Sequence, residues 1–364
     1  MRKGKRYFSL VLTAILGLNL LFTSSLSAQS IYSTASTSNF TNINNLDQFE
    51  AAIKAATENL EPNVSIKGPY SSLPPYQTIL DQLAGLNKYS ISISTNGVVN
   101  LVTIKFDYKQ AYKLSRYIQN PKLQKRLSNQ DMELLKFAQS VVSKLTKPEM
   151  SDYQKELLFH DYIVNSARYD SEHLATNTLP QSAYTAYGIL INKSGVCEGY
   201  SEAFKLLLDL AGIECKIVVG TSSSSIAHAW NMVKLDKEWY MVDLTYDDPV
   251  TTQNGKRLDI LSHEYFNITA ALLSKDHTWD HTKYPTADST KYNYFVVNHN
   301  LFNNYSEFEA YIISQIKAGK TEISCYVTNY DSSTYNLDFV HNYYTGSYRY
   351  SLPSSPCGVI TIYL

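Results

Sequence analysis

Three residue types that could form a nucleophilic site occur in one region of this sequence. Cys197 lies in SGVCEGYSEAFKLLLDLAGI, His228 lies in AHAWNMVKL, and Asp243 lies in EWYMVDLTY. A cysteine thiolate can attack a carbonyl carbon, a histidine can take up the thiol proton, and a carboxylate can fix the imidazole tautomer. A single cysteine or histidine is more often a core or surface residue. The elements that carry these three residues must therefore bring them together.

The stretch that begins at Cys197 predicts an amphipathic helix. Its apolar residues recur at the spacing of one buried stripe, and Gly212 stands where a helix C-cap is expected. Cys197 therefore falls at the N-terminal end of the helix, where unpaired amide groups and the helix dipole favour a thiolate. The same amide groups could hold the oxyanion of an acyl intermediate.

Two β-rich runs after this helix predict a hairpin. If the chain turns at residues 236–237, Leu235 pairs with Glu238, and Asp243 lies diagonal to His228 on the same face of the sheet. A four-residue loop keeps this arrangement, whereas a three-residue loop places the two side chains on opposite faces. The sequence therefore permits a Cys-His-Asp triad, which is less expected by chance than any one of its members.

The cysteine pattern does not favour a metal centre. The four cysteines, at 197, 215, 325 and 357, form no close pair, and no paired histidines stand near them in the sequence. Cys215 is predicted to be a buried thiol, whereas Cys325 and Cys357 could form a disulfide in an oxidising location. We expect Cys197 to be free and reactive. No cofactor is predicted, and no calcium-binding loop pattern is present.

The N-terminus predicts export. Residues 1–27 contain four basic residues, then an apolar run, then small residues, which is the pattern of a secretory signal peptide; an uncleaved anchor is the alternative. No later stretch is long and apolar enough to span a bilayer. We therefore expect a secreted or cell-surface protein. The formal net charge of −1 gives no indication of a nucleic-acid partner.

The rest of the chain divides by composition and by a weak internal resemblance. Residues 28–45 are rich in Ser, Thr and Asn and predict a flexible tether. FEAAIKAATENLEPNVSIKG from Phe49 resembles FEAYIISQIKAGKTEISCYV from Phe308, although helix-then-strand patterning alone could produce this. Two small α+β modules are therefore predicted, at 46–115 and 291–364.

The central domain is predicted at 116–290. Two helices with capping-box signals at Ser128 and Ser151 lead into the Cys197 helix, and β-rich runs follow. Helices that precede antiparallel strands indicate an α+β fold and argue against a doubly wound sheet.

The three stretches around Cys197, His228 and Asp243, together with YQKELLFHDYIVNSARYD and SAYTAYGIL, closely resemble the bacterial transglutaminase-like superfamily, including its secreted members. The resemblance covers roughly residues 151–280. It implies a papain-like core of helices packed on an antiparallel sheet, flanked here by the two small modules. It also implies that Cys197 is the nucleophile, His228 the general base and Asp243 the third member of the triad.

Several further residues lie in the stretches that carry this resemblance. His160 and His277 match motif positions that we interpret as structural. Tyr187 is one candidate for the upstream oxyanion partner and could equally be a core tyrosine. Glu198 could be a surface residue, although its charge beside the thiol would oppose thiolate formation.

The resemblance implies an enzyme that forms a thioester with a protein carboxamide or a peptide acyl group. An amine would resolve the thioester by transglutamination, and water would resolve it by deamidation or proteolysis. A cysteine peptidase or cell-wall amidase of the same fold and a non-catalytic cell-surface binding or scaffold protein are the alternatives. The expected partner is a protein, peptide or cell-wall peptide substrate, and the sequence predicts no oligomeric state.

Overall fold

The computed structural model describes residues 40–364 except for 69–78, 81–82, 84, 96–99, 223–224, 250, 254–255, 259 and 354–357. The predicted signal peptide and most of the predicted tether lie outside the described residues. The helices are α1 (Leu46–Glu58), α2 (Gln110–Gln119), α3 (Asn129–Leu145), α4 (Asp152–Ser166), α5 (Ser171–Ala175), α6 (Ala186–Leu190), α7 (Cys197–Leu210), α8 (Leu244–Asp247), α9 (Ala270–Leu273), α10 (Tyr294–Val297) and α11 (Tyr305–Lys317). Short 3₁₀ helices span Pro121–Arg126, Gln181–Tyr184, His281–Lys283 and Asp338–Asn342.

In the part of the chain that the structure describes, the strands belong to three four-stranded sheets and two small two-stranded ones. The strands are β1 (Thr41–Asn42), β2 (Asn63–Gly68), β3 (Leu86–Thr95), β4 (Asn100–Tyr108), β5 (Arg168–Tyr169), β6 (Ser194–Gly195), β7 (Cys215–Ser222), β8 (Ala227–Leu235), β9 (Glu238–Val242), β10 (Thr251–Gln253), β11 (Lys256–Leu258), β12 (His277–Thr278), β13 (Leu301–Phe302), β14 (Glu322–Val327), β15 (Arg349–Ser351) and β16 (Gly358–Tyr363).

The central domain packs helices on one antiparallel sheet. Its strand order is β12-β7-β8-β9, and α7 packs against β8 and against α3 and α4. The apolar stripe of α7 is buried in this core, as Phe204 and Leu207 illustrate with no exposed surface. The helix ends before Gly212, whose positive φ of 77° provides the left-handed backbone of a helix C-terminus. The predicted α+β fold and the predicted Cys197 helix are confirmed.

Both predicted capping boxes are confirmed in the helices that lead into the core. The Ser128 hydroxyl accepts a hydrogen bond from the amide of Asp131 at 3.1 Å, and the Asp131 carboxylate accepts one from the amide of Ser128 at 2.9 Å. Ser151 and Gln154 make the same reciprocal pair at the start of α4. Such caps contribute about 1 kcal/mol each to helix stability. They fix the starts of two helices that pack on α7.

The two flanking sheets share one topology. The first has the order β1-β2-β4-β3 with α1 between β1 and β2, and the second has the order β13-β14-β16-β15 with α11 between β13 and β14. The first two strands are parallel in both sheets, and the other pairs are antiparallel. Ser65 and Thr103 share a hydroxyl hydrogen bond of 3.1 Å, and Ser324 and Thr361 share another of 3.1 Å. The two predicted modules therefore have the same strand order, the same pairing directions and the same placement of the helix.

Two details differ from the predicted organisation. Thr41–Asn42 pairs in parallel with Ile66 and Lys67, so the tether prediction is wrong at its C-terminal end, where the chain joins a sheet. The predicted boundary at residue 115 falls inside α2, and Leu114 of this helix is buried in the central core. The amphipathic pattern of α2 therefore belongs to the central domain.

The cysteines of the described residues are not cross-linked. Cys325 is a free thiol with no exposed surface, and burial raises its pKa to about 12. The disulfide considered for it is therefore not formed, and Cys357 lies outside the described residues. Cys215 is also free and buried, as predicted. Among the described residues, none of the helices combines the length and apolar character that crossing a bilayer requires.

Candidate active site

The hairpin that carries His228 has the predicted register. Leu235 pairs with Glu238, and Asp236 and Lys237 both have positive φ values, of 47° and 73°. A two-residue turn of this kind matches the right-handed twist of the two strands. The short turn therefore sets which residues of β8 and of the chain after β9 share a face.

Asp243 orients His228 and caps the helix that follows. Its Oδ2 lies 2.6 Å from Nε2 of His228, and its Oδ1 accepts hydrogen bonds from the amides of Thr245 at 2.9 Å and Tyr246 at 3.2 Å. The side chain of Asp243 is 1% exposed and that of His228 is 7% exposed. Because the carboxylate holds Nε2, it leaves Nδ1 as the ring nitrogen available to a thiol.

Cys197 is the first residue of α7. Val196 precedes it without a side-chain cap on the helix amides, so the N-terminal amides are not occupied by a capping side chain. A side chain at Gly199 would bring its Cβ to 2.6 Å from the carbonyl oxygen of Ala183, so only glycine lets the helix start so close to the preceding loop. Cys197 is free and partly exposed, as an accessible nucleophile must be.

The electrostatics join these three side chains into one unit. Burial opposes protonation of His228, but the charges of Asp243 and Cys197 and hydrogen bonds to both hold the pKa of His228 well above its ordinary value. Burial would raise the pKa of Asp243, yet His228 and His277 hold it well below its ordinary value. The structure thus brings all three predicted site residues together, with an ionised carboxylate and an imidazole that favours its protonated form.

Two tyrosines border the thiol, and neither is Tyr187. Burial and the proximity of Cys197 raise the pKa values of Tyr169 and Tyr184. The hydroxyl of Tyr187 instead donates to the carboxylate of Glu133 at 3.1 Å, on the outer side of α6. The sequence-based candidate for an upstream oxyanion partner is therefore not supported by its position.

Glu198 is not an isolated charge beside the nucleophile. Its Oε1 lies 2.5 Å from Nζ of Lys109, at the start of α2. A cation at this distance compensates the carboxylate and weakens its repulsion of a neighbouring thiolate. No local pattern could indicate this pair, because 89 residues separate its two members.

A second histidine, His277, contacts Asp243, and this contact was not predicted from the sequence. Nε2 of His277 lies 3.0 Å from Oδ2 of Asp243, the same oxygen that His228 uses, and Nδ1 of His277 lies 2.6 Å from Oδ1 of Asp276. His277 reaches this position because β12 pairs with β7 at the edge of the central sheet. No pattern around residue 277 could have indicated a partner 34 residues upstream.

His160 lies in a separate polar cluster at the other end of α8. Its Nδ1 lies 3.0 Å from Asp161, and its Nε2 lies 3.1 Å from Asp247. Burial lowers the pKa of His160, but these two carboxylates more than compensate and raise it to about 9. Asp247 also accepts a hydrogen bond from the amide of Tyr265 at 3.0 Å, which fixes the loop after the hairpin.

Two groups of described side chains are compact enough to share a cation: one is His160, Asp161 and His263, and the other is His228, Asp243 and His277. In both groups the ring nitrogens and carboxylate oxygens already form hydrogen bonds with one another. A cation would have to replace those hydrogen bonds. We assign neither group as a metal site.

Residues 139–244 match the family model of the transglutaminase-like superfamily, an interval that includes Cys197, His228 and Asp243. The chain contains a transglutaminase-like domain. This domain is also similar to kyphoscoliosis peptidase of Mus musculus, at 28% identity over 149 residues, and of Homo sapiens, at 27% over 149 residues. Each match covers 38% of this chain and 22% of the relative, so the chain spans about a fifth of the length of those proteins.

Solved structures overlap with the transglutaminase-like domain and its surroundings only loosely. A TGase structure has 18% identity and a TM-score of 0.31, covering 58% of this chain and 60% of the other. The periplasmic domain of TgpA from Pseudomonas aeruginosa has 16% identity and a TM-score of 0.27, covering 41% of this chain and 54% of the other. Overlaps at this level carry no argument about function.

Proposed function

We propose that this protein is a transglutaminase-like thiol enzyme with Cys197 as nucleophile, His228 as general base and Asp243 as the orienting carboxylate. One observation carries the proposal: a free cysteine begins a buried helix beside a histidine whose far nitrogen is held by a buried carboxylate. A binding module would have no need for this combination of thiol, base and orienting group.

The first half of the reaction is acyl transfer to sulfur. His228 removes the proton of the Cys197 thiol, and the sulfur adds to the carbonyl carbon of a carboxamide or peptide bond. The C–N bond then breaks, and the leaving nitrogen takes the proton from His228, so ammonia or an amine departs and a thioester remains. In this proposal, the uncapped first amides of α7 donate hydrogen bonds to the negative charge that develops on the carbonyl oxygen.

The second half regenerates the thiol. His228 removes a proton from the incoming amine or water, whose nitrogen or oxygen adds to the thioester carbon. The C–S bond breaks, and the sulfur regains a proton. An amine yields a new amide, whereas water yields a carboxylic acid. The same three side chains serve both outcomes, so we propose the thioester as the shared step, with a protein, peptide or cell-wall peptide as substrate.

We also propose that the enzyme works outside the cytoplasm. The basic, apolar and small-residue pattern of residues 1–27 supports export through a signal peptide. A fusion of residues 1–45 to a reporter that is active only after export tests this directly. Retention of the reporter in the cytoplasm would contradict it.

A cysteine peptidase is the second candidate. The curated relatives that match this domain are named as peptidases, which favours water as the acceptor and a peptide bond as the target. Hydrolysis would use the same thioester, with the new N-terminus of the substrate as leaving group.

Incubation with a glutamine-containing protein and a labelled primary amine separates these outcomes. We expect the wild-type protein to incorporate the amine, to release ammonia or to cleave the substrate, and we expect Cys197→Ala to do none of these. Cys215→Ala is the matched control, because this thiol is buried and burial raises its pKa to about 12. Equal product from wild type and Cys197→Ala would refute the proposal, as would an absence of any thiol-dependent product across protein, peptide and cell-wall substrates.

A further inference from the structure

His277 is held between two carboxylates in the interior of the site. Its side chain has no exposed surface. Nε2 lies 3.0 Å from Oδ2 of Asp243, and Nδ1 lies 2.6 Å from Oδ1 of Asp276. Both distances are hydrogen bonds to acceptors that carry no proton of their own when ionised.

This arrangement determines the protonation state of the ring. A neutral imidazole has one donor nitrogen and one acceptor nitrogen, so it would place a lone pair against one of the two carboxylates. Only the imidazolium form donates to both. Burial opposes that charge, but the hydrogen bonds of Asp243 and Asp276 outweigh it and raise the pKa of His277.

Both oxygens of the Asp243 carboxylate are also held by hydrogen bonds. Two backbone amides donate to its Oδ1, and the rings of His228 and His277 both lie against its Oδ2. The carboxylate therefore cannot rotate without breaking several hydrogen bonds. Its charge acts on two imidazole rings, whose centroids are 5.3 Å apart.

The groups that face His277 come from several elements. Asp276 is its neighbour in the chain, Asp243 precedes α8, and His228 lies on β8. The ring of Tyr246 lies 4.7 Å away and that of Tyr265 lies 5.9 Å away, and the hydroxyl of Tyr265 donates to Asp276 at 2.5 Å. Burial raises the pKa of Tyr265, which therefore stays an uncharged phenol near neutral pH. The two carboxylates and the two histidines are the groups that determine the local charge.

We propose that His277 is a positioning residue which, as an imidazolium, locks the Asp243 carboxylate and sets the pH range over which Cys197 and His228 form a reactive pair. It acts through Asp243 and touches no substrate. Its positive charge offsets part of the negative field that Asp243 exerts on His228 and on the thiolate. Removing that charge makes the thiolate harder to form and the His228 imidazolium harder to deprotonate, so both limbs of a pH profile move upward.

The rate at which Cys197 reacts with iodoacetamide, measured against pH, tests this. The proposal concerns the site of the proposed function, but alkylation needs no substrate, so it can fail or succeed independently of that function. In His277→Gln the amide can keep a hydrogen bond to Asp243 while the charge is lost. We expect the midpoint of the alkylation profile to rise by up to about 1 pH unit, because the lost charge lies on a ring whose centroid is 5.3 Å from that of His228, the partner of the thiol. His277→Asn, which cannot reach Asp243, should in addition reduce the maximal rate.

His160→Gln is the matched control, because it also removes a buried imidazolium held by two carboxylates but does not touch Asp243. We expect its alkylation midpoint to equal that of the wild type. His277→Asn is the second test, because it also removes the charge, and its midpoint should move in the same direction as that of His277→Gln. Folding of each variant is checked by circular dichroism. An unchanged midpoint in folded His277→Gln, or in folded His277→Asn if His277→Gln does not fold, would overturn the proposal.

Discussion

Two buried histidines flank the short helix α8, and they differ in what their rings face. Asp243 and Asp247 stand at its two ends, and each binds the Nε2 atom of one histidine, His228 in the first case and His160 in the second. Both rings are shielded from solvent, and both have a raised pKa. The two histidines are therefore alike in their burial, in the carboxylate at Nε2 and in the direction of the pKa shift.

The two histidines differ in the group that lies beside the second ring nitrogen, Nδ1. In His160 the second nitrogen, Nδ1, binds Asp161. Carboxylates therefore hold both ring nitrogens, and neither nitrogen is available to a substrate. In His228 the second nitrogen is left to Cys197, which can lose a proton to the ring and regain it. In the proposed function, a buried histidine is structural when carboxylates bind both ring nitrogens, and it can act as a base when one ring nitrogen faces a thiol.

The largest expected effect comes from replacing Asp243 with asparagine, compared with the same replacement at Asp247. Asp243→Asn should lower thiol-dependent turnover on the order of 10³-fold, because His228 loses the acceptor that fixes its tautomer. Asp247→Asn should keep turnover within about tenfold of wild type, since it contacts His160 and not His228. Rates of amine incorporation or of Cys197 alkylation give the comparison. Similar losses in both variants, with folding intact, would contradict the separation of roles.

The second prediction concerns the contribution of His160 to the stability of the folded protein. His160→Gln leaves buried Asp247 without a cationic partner, and we expect a loss on the order of 3 kcal/mol in the free energy of unfolding. Urea unfolding measures it. His173→Gln is the control, because His173 also binds an aspartate but its side chain is 51% exposed, and its loss should stay below about 1 kcal/mol.

The same variant has a defined pH dependence. The pKa of His160 is about 9 in the folded protein, above the ordinary value of 6.5. The stabilisation is therefore complete below about pH 6.5 and is lost as the pH rises through about 9. The difference between wild type and His160→Gln should shrink over that interval. A difference that grows with pH would show that the ring is not held as an imidazolium.

Glu202 is a buried acid without a histidine partner, and its replacement is expected to stabilise the protein, whereas replacement of His160 destabilises it. Glu202 is a buried residue of α7, and burial, and then the charge of Glu198, raise its pKa to about 8. A raised carboxyl pKa means that the stabilisation is present below about pH 4.5 and is lost as the pH rises through about 8. Glu202→Gln should therefore gain on the order of 2 kcal/mol relative to wild type between about pH 5 and pH 8. Urea titrations at both pH values check this, with exposed Glu172→Gln as the control that should show no such gain.

Features that depend on neighbours in the chain could be predicted from the sequence. The helix that begins at Cys197 followed from its apolar period and Gly212, and the hairpin register followed from the short turn at residues 236–237. These inferences needed only backbone geometry and side-chain alternation. They were enough to place His228 and Asp243 on one face.

Features that depend on distant segments could not be predicted in this way. His277 reaches Asp243 only because β12 adds to the edge of the sheet, and the irregular chain before it has no periodicity to read. The end of the predicted tether was misjudged for the same reason, since Thr41–Asn42 is polar and exposed and becomes a strand only by pairing with β2. Local composition does not encode such partners.

The smallest effect is expected at the link between the first module and the nucleophile helix. β4 ends at Tyr108, and the next residue, Lys109, pairs with Glu198 beside Cys197. Lys109→Met should leave that carboxylate uncompensated and slow alkylation of Cys197 at neutral pH by about two- to fivefold, because both side chains are partly exposed and water screens the charge. Glu198→Gln alone should not slow it, and the double variant should return to the rate of Glu198→Gln. Equal slowing in Lys109→Met and in the double variant would mean that Lys109 acts through packing and not through the charge of Glu198.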